Sequence, residues 1–189
     1  LPPVEAFRPR CYNKRKMGVN RFNLQNERMM KMSKKAVQAA ANFRQGYNCA
    51  QSVALSFSEE IGMDKAQMLR MVSSFGGGMG RLREVCGAVS GMFFVAGALY
   101  GYDDPKDFQA KKEHYARIQE LAAKFREKNG SIICRELLGI DGRDHSPVPS
   151  QRTEEYYKKR PCVEMIATAA QLMEEYIQEH LGTSTSNTN

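Results

Sequence analysis

The stretch VCGAVSGMFFVAGALYGY, Val85 to Tyr102, carries no charged residue, and its reading decides the fold. Its length is near the lower limit for a bilayer-spanning helix, and Met92–Val95 alone could pass for a strand. Its four glycines, and the charged amphipathic segments close on either side, favour a buried central helix from about Arg83 to Tyr100. On that helix Cys86, Val89, Phe93, Ala96 and Tyr100 share one face. Gly87 and Gly91 are one turn apart, as are Gly97 and Gly101, and such small residues let another backbone approach closely.

Helical patterns repeat outward from this stretch. On its N-terminal side, Ser33–Arg44 carries a modest stripe of Val37, Ala40 and Ala41, broken by Gly46-Tyr47-Asn48. Asn48 is a good N-cap for a helix from Cys49 to about Ile61, where Cys49, Val53 and Phe57 share a face and Gly62 ends it. Asp64 opens a third helix with Gln67 at the capping-box position, expected to bury Met68, Leu69, Met71, Val72 and Phe75. Gly76, Gly77, Gly78 and Gly80 then make a flexible break, since so many glycines destabilise a regular element.

On the C-terminal side, Asp104-Pro105 predicts a helix start. That helix is expected to bury Phe108, Tyr115, Ile118, Ala122 and Phe125, and Asn129-Gly130 ends it. Ser131 is expected to cap a short helix, Ile132–Leu138, followed by a loop with an Asp141-Gly142 turn. A last helix from near Pro161 or somewhat earlier carries the stripe Val163, Ile166, Ala170, Met173 and Ile177. No run of alternating strands is visible. The fold class is therefore all-α, a single-domain bundle of about five to seven helices over 31–181. A basic extension at 1–30 and a polar tail at 182–189 are expected to be disordered.

The 189 residues suffice for one core, and 42% hydrophobic with 26% charged residues is ordinary globular composition. The net charge of +7 is unevenly placed. Residues 1–35 hold 10 Lys/Arg against two Glu, whereas the rest holds 18 Lys/Arg against 19 Asp/Glu. A near-neutral body argues against nucleic-acid binding, and leaves only a tail with loose affinity for anions. The N-terminus has no apolar run of the length of a secretory signal. Its lack of serine before Ser33 argues against a transit peptide. The chain begins with Leu, so Met17, Met29, Met30 and Met32 are candidate starts, and Cys11 carries no weight in the functional reading. We expect a cytoplasmic protein without a membrane span. In the cytosol cysteines stay reduced unless they serve redox chemistry or metals.

Four cysteines carry the functional signal. Cys49 follows the cap Asn48, Cys86 follows the glycine break, Cys134 lies three residues past Ser131, and Cys162 follows Pro161. Each falls in or near the first turn of an expected helix. Unpaired N–H groups and partial positive charge there stabilise a thiolate and lower its pKa. Four helices can aim four N-termini at one point, so no local CxxC pair is needed. The structural reading is that buried Cys simply packs.

The segments GYNCAQ (Gly46–Gln51), FGGGMGR (Phe75–Arg81), CGAVSG (Cys86–Gly91), CRELLG (Cys134–Gly139) and Pro161-Cys162 occur in that order. Together, over roughly Ser33 to Ile177, they resemble the C_GCAxxG_C_C family, described by a proposed redox role and four invariant cysteines. The resemblance places those cysteines on Cys49, Cys86, Cys134 and Cys162. Its glycine-rich segment falls on Gly76, Gly77, Gly78 and Gly80, and its CGAxxG glycines on Gly87 and Gly91. It implies a bacterial or archaeal protein, with a redox or transporter-associated partner, since members often lie near transporter genes. The long basic N-terminus has no counterpart in the motif.

The glycine segment follows a helix, not a strand, and matches no phosphate-binding loop. It reads as a hinge or a close backbone approach. Its functional version is a nest of N–H groups facing sulfur or an anion, with Arg81 alongside. His114, His145 and His180 are scattered and read as solvated or lacking a spaced partner. Glu59-Glu60, Glu154-Glu155 and Glu174-Glu175 read as solvated faces.

Three functions remain open. In the first, two cysteines cycle between dithiol and disulfide while the others tune or resolve them, and nothing in the sequence says which pair. In the second, four thiolates hold Zn or an Fe–S cluster. In the third, the cysteines are inert and the apolar stripes serve a helical interaction protein such as a homodimer.

Overall fold

The computed structural model describes residues 32–140 and 146–181. The expectations for the 1–30 extension, Cys11, the Asp141-Gly142 turn, His145 and the 182–189 tail lie outside the described residues. The described chain is helical, with no strand and a single antiparallel bridge between Val85 and Ile133. Its right-handed helices are α1 (Lys34–Arg44), α2 (Cys49–Ser56), α3 (Ser58–Ile61), α4 (Lys65–Met71), α5 (Gly87–Tyr100), α6 (Phe108–Asn129), α7 (Cys134–Leu138), α8 (Glu154–Lys159) and α9 (Cys162–Leu181). A 3₁₀ turn, Ser73–Phe75, follows α4.

Local chemistry sets most helix starts. The Ser33 hydroxyl accepts from the Ala36 N–H at 3.2 Å to open α1. Asn48 and Gln51 form a full capping box at α2: each side-chain oxygen accepts the other's backbone N–H, at 2.9 and 3.1 Å. Asp64 caps α4 through the Gln67 N–H at 2.8 Å. Asp107 caps α6 through the Ala110 N–H at 2.8 Å, and Gly130, at φ 87°, ends that helix.

α5 is the central helix. It packs on α2, α6 and α9, and Ala88, Val89, Met92, Val95 and Ala96 are fully buried on it. Around it Phe43, Phe57, Phe125, Ile166 and Met173 complete the main core. A Cβ at Gly91 would lie 2.8 Å from the Ala50 carbonyl oxygen, so α2 and α5 meet backbone to backbone. Gly97 and Gly101 show no such approach: a Cβ on the first meets nothing within 4 Å, and the three atoms nearest one on the second all belong to Gly97. The 14 residues of α5 reach only about 21 Å at about 1.5 Å per residue. No described helix is long and apolar enough to cross a membrane.

The all-α class holds, but the nine helices among the described residues exceed the expected five to seven. Phe57, at φ −113°, interrupts the single helix expected over Cys49–Ile61, producing α2 and α3. α8, a separate short helix before the last one, has acidic residues in its first turn and basic residues in its last, and packs Tyr156 and Tyr157 against the core. α5 begins at Gly87 rather than Arg83 because residues 84–86 are held extended by the bridge. α6 begins at Phe108 because Asp107, not Asp104, supplies the cap. Ile133 rather than Ser131 precedes α7; the Ser131 hydroxyl instead accepts from the Ile133 N–H. Several expected core residues are outside: Phe108 is 77% exposed, and Tyr115, Met71 and Val37 are exposed too. Only Leu121 and Phe125 of α6 are buried, both in its second half, with Ile118 partly buried against the core.

Candidate functional site

Each of the four cysteines stands at a helix start. Cys49, Cys134 and Cys162 are the first residues of α2, α7 and α9, and Cys86 directly precedes α5. All four are free thiols, and all line one cavity of about 290 Å³. Cys86 and Cys134 are each 7% exposed, while Cys49 and Cys162 are half-buried.

Backbone contacts bring them together. Around the Val85–Ile133 bridge, the Cys86 N–H donates to the Ile132 carbonyl at 2.8 Å and the Cys134 N–H to the Glu84 carbonyl at 2.6 Å. The Arg135–Glu84 ion pair at 2.8 Å braces the same junction. Two glycines let the cysteines close in. A Cβ at Gly87 would lie 3.0 Å from Cys49 Cβ, and one at Gly78 only 2.6 Å from Cys134 Cβ. Gly76 packs on the cap, where a Cβ would meet Asn48 Cγ at 2.7 Å.

The glycine segment forms a left-handed turn at a close backbone approach, as one of its expected readings had it: a Cβ at Gly78 would lie 3.1 Å from Arg83 Cα and from Glu84 N. Five consecutive residues have positive φ: Gly77 (65°), Gly78 (73°), Met79 (59°), Gly80 (60°) and Arg81 (75°). Each side chain in this conformation costs about 1–2 kcal/mol, so three glycines in the five make the turn affordable. Arg83 also sits at φ 61° and is 3% exposed. The strained backbone aims its guanidinium inward, where it bonds the Gly77 carbonyl at 3.4 Å and hydrogen-bonds the Cys134 sulfur.

Helix starts alone do not ionise these thiols. Burial drives Cys86 up to about 12, outweighing the N–H groups of Ala88 and Val89 that favour its thiolate. Burial also raises Cys134, against the hydrogen bond and charge of Arg83. Cys49 is held well above the usual thiol value by its hydrogen bond to Cys162, by burial and by the negative charge of the other three sulfurs. Cys162 alone goes down, to about 7. The Cys49 thiol bonds its sulfur, and Arg160, Arg152 and Arg83 add positive charge that overcomes burial. The expectation of four acidified thiols is thereby corrected to one.

The residues expected around the cysteines are distributed unevenly. Gly76, Gly77, Gly78, Gly80, Arg81 and Gly87 line the cavity, whereas Gly91 belongs to the α2–α5 contact. Arg81 reaches toward the following loop, its Nε donating to the Ser146 carbonyl at 2.8 Å and Nη1 to Ser150 Oγ at 3.3 Å. Sequence reading missed Arg83, Arg152, Arg160 and Tyr156, all of which line the cavity. Arg160, two residues before Cys162, was the one detectable signal. Arg152 donates to the carbonyls of Phe43 and Tyr47, at 2.7 and 3.0 Å, and stacks on Phe43. His114 packs on Tyr102 and His180 stacks on Tyr176, both away from the cavity.

A family model with the description "Putative redox-active protein (C_GCAxxG_C_C)" matches residues 47–176. The chain belongs to the C_GCAxxG_C_C family. The match takes in all four cysteines, the left-handed turn and Arg83, so the family's segment and the cavity coincide. Comparison with curated proteins and with solved structures gave no match. The four thiols equal the ligand count of a zinc or Fe–S centre. Among the described residues, however, no three His, Cys, Asp or Glu side chains are placed to hold one ion.

Proposed function

We propose that this C_GCAxxG_C_C protein is a thiol–disulfide oxidoreductase in which Cys162 attacks and Cys49 resolves. The supporting observation is that Cys49 and Cys162 line one cavity with Arg83, Arg152 and Arg160, whose charges favour the Cys162 thiolate while Cys49 is held protonated. The thiolate is the nucleophile, and the best attacking thiol has a pKa near ambient pH. Cys162 sulfur attacks one sulfur of a substrate disulfide; the S–S bond breaks and the other half leaves as a thiolate. Cys49 loses its proton to that leaving thiolate and attacks the Cys162 sulfur. The second substrate half departs as a thiolate and takes a proton from solvent. The dithiol has become a Cys49–Cys162 disulfide, and the substrate has gained two electrons and two protons.

In this reading Cys86 and Cys134 stay protonated and do not compete for the substrate. In a cytoplasmic setting, where thiols are kept reduced, a separate redox partner would reset the pair.

Mass-spectrometric mapping after oxidation by a small disulfide tests it. The expected product joins Cys49 to Cys162. Cys49→Ser should trap the substrate half on Cys162, and Cys162→Ser should abolish reaction. Four unchanged thiols would overturn the reading and return the cysteines to a structural role. A metal or Fe–S centre is the second reading, supported by four thiols around one cavity. Stoichiometric iron or zinc in protein purified without oxygen, lost with any one Cys→Ser change, would favour it.

A further inference from the structure

We infer that the cavity over Cys162 selects an anionic substrate, a small disulfide whose substituents carry carboxylates. This rests on the thiol–disulfide reading and adds the substrate class. Arg152 and Arg160 line the cavity with Cys162, and among the described residues every partner of these two guanidinium groups is neutral: backbone carbonyls, a serine hydroxyl and aromatic rings. The chain from residue 36 on is near neutral, with 18 Lys/Arg against 19 Asp/Glu, so this is a local concentration of one sign. A concave site lined by one sign of charge attracts and concentrates opposite charge.

The arginines also differ in freedom to meet a ligand. Arg152 is anchored by two carbonyls and acts as a fixed charge. Arg160 has a long 3.5 Å bond to Ser150 Oγ and lies over the Tyr156 ring at 4.8 Å. Both partners are neutral, so a carboxylate in the cavity is a better partner for its planar fork. A cavity of about 290 Å³ is at the small end of ligand sites, which fits a low-molecular-weight substrate rather than a protein loop. We assign Arg160 as the specificity-determining residue.

The test compares alkylation of Cys162 by iodoacetate, an anion, and by neutral iodoacetamide, followed by mass spectrometry and normalised to the same ratio for mercaptoethanol. The expected normalised ratio is about tenfold in favour of iodoacetate, the scale of a few screened charge pairs. It should fall toward unity in about 1 M salt and in Arg160→Gln, and persist in Arg160→Lys. A ratio no higher than that of mercaptoethanol overturns the proposal. So does an Arg160→Gln variant that slows both reagents equally, because Arg160 would then act only through ionisation of Cys162. Oxidation by three disulfides of similar size gives the substrate arm. Dithiodipropionate should react fastest, hydroxyethyl disulfide next and cystamine slowest; equal rates overturn the proposal. If none of the three joins Cys49 to Cys162, the redox reading itself fails and the disulfide class with it. Anion selection is still decided by the alkylation ratio, which needs no turnover.

Discussion

Cys49 and Cys162 open α2 and α9 on the wall of one cavity, and their interaction, with burial and the nearby arginines, pushes the two thiols to opposite sides of the ordinary range. Sharing one proton between two sulfurs makes one a nucleophile and the other a reserve.

The first prediction follows from that contact. The alkylation rate of Cys162 should rise with pH through a midpoint near 7. Cys49→Ala removes the donor and should move the midpoint up toward the ordinary 9.0, slowing Cys162 several-fold at neutral pH. Cys49→Ser keeps a donor and should largely retain the profile. Rate measurements across pH on the three proteins check this; identical midpoints in all three would remove the proposed role of Cys49.

The left-handed turn yields a comparison of two glycines with similar backbone. Gly78 has φ 73° and no room, with Cys134 Cβ 2.6 Å and Arg83 Cα 3.1 Å from an added Cβ. Gly139 has φ 62° and nothing within 4 Å. Gly139→Ala should cost about 1 kcal/mol, for conformation alone. Gly78→Ala should cost about 3 kcal/mol or more, because overpacking is added to strain. Urea denaturation of both variants measures the gap.

Asn48 links the first helix of the site to the glycine segment. Its oxygen caps α2 and its Nδ2 donates to the Ser73 carbonyl at 2.9 Å. Asn48→Ala should cost about 1–2 kcal/mol and slow closure of the Cys49–Cys162 disulfide. Asn48→Asp keeps the capping oxygen and loses the donor, so its loss of stability should be smaller.

Arg83 acts on Cys134 directly and on Cys162 through its charge. Arg83→Gln should therefore slow alkylation of both. Cys86, whose high pKa comes first from burial, should change little by the same measurement.

How much of this was legible in the sequence depended on whether the cause was local. The cysteines' positions at helix starts could be read because Asn48 and Pro161 mark helix starts within a residue or two. The central place of α5 could be read because its uncharged run admits few surroundings. The pairing of Cys49 with Cys162 could not, since it arises where α2 and α9 meet. Arg83 was passed over for Arg81 because nothing local shows which of two nearby arginines turns inward; the positive φ at each decides that. α8 was not separated from the last helix because its only apolar contacts, the adjacent Tyr156 and Tyr157, leave no helical period to detect. The acidification expected of all four thiols failed at three of them because burial is a tertiary property.

The wide separation of the cysteines along the chain has a consequence for biosynthesis. Cys49, Cys86 and Cys134 leave the ribosome before Arg152, Arg160 and Cys162 exist. Until α9 docks against α2, Cys49 lacks its neighbouring sulfur, and the three emerging thiols lack the full burial that raises them in the folded protein. Folding therefore quiets three thiols that an unfinished chain exposes at the ordinary value, and activates only the one made last.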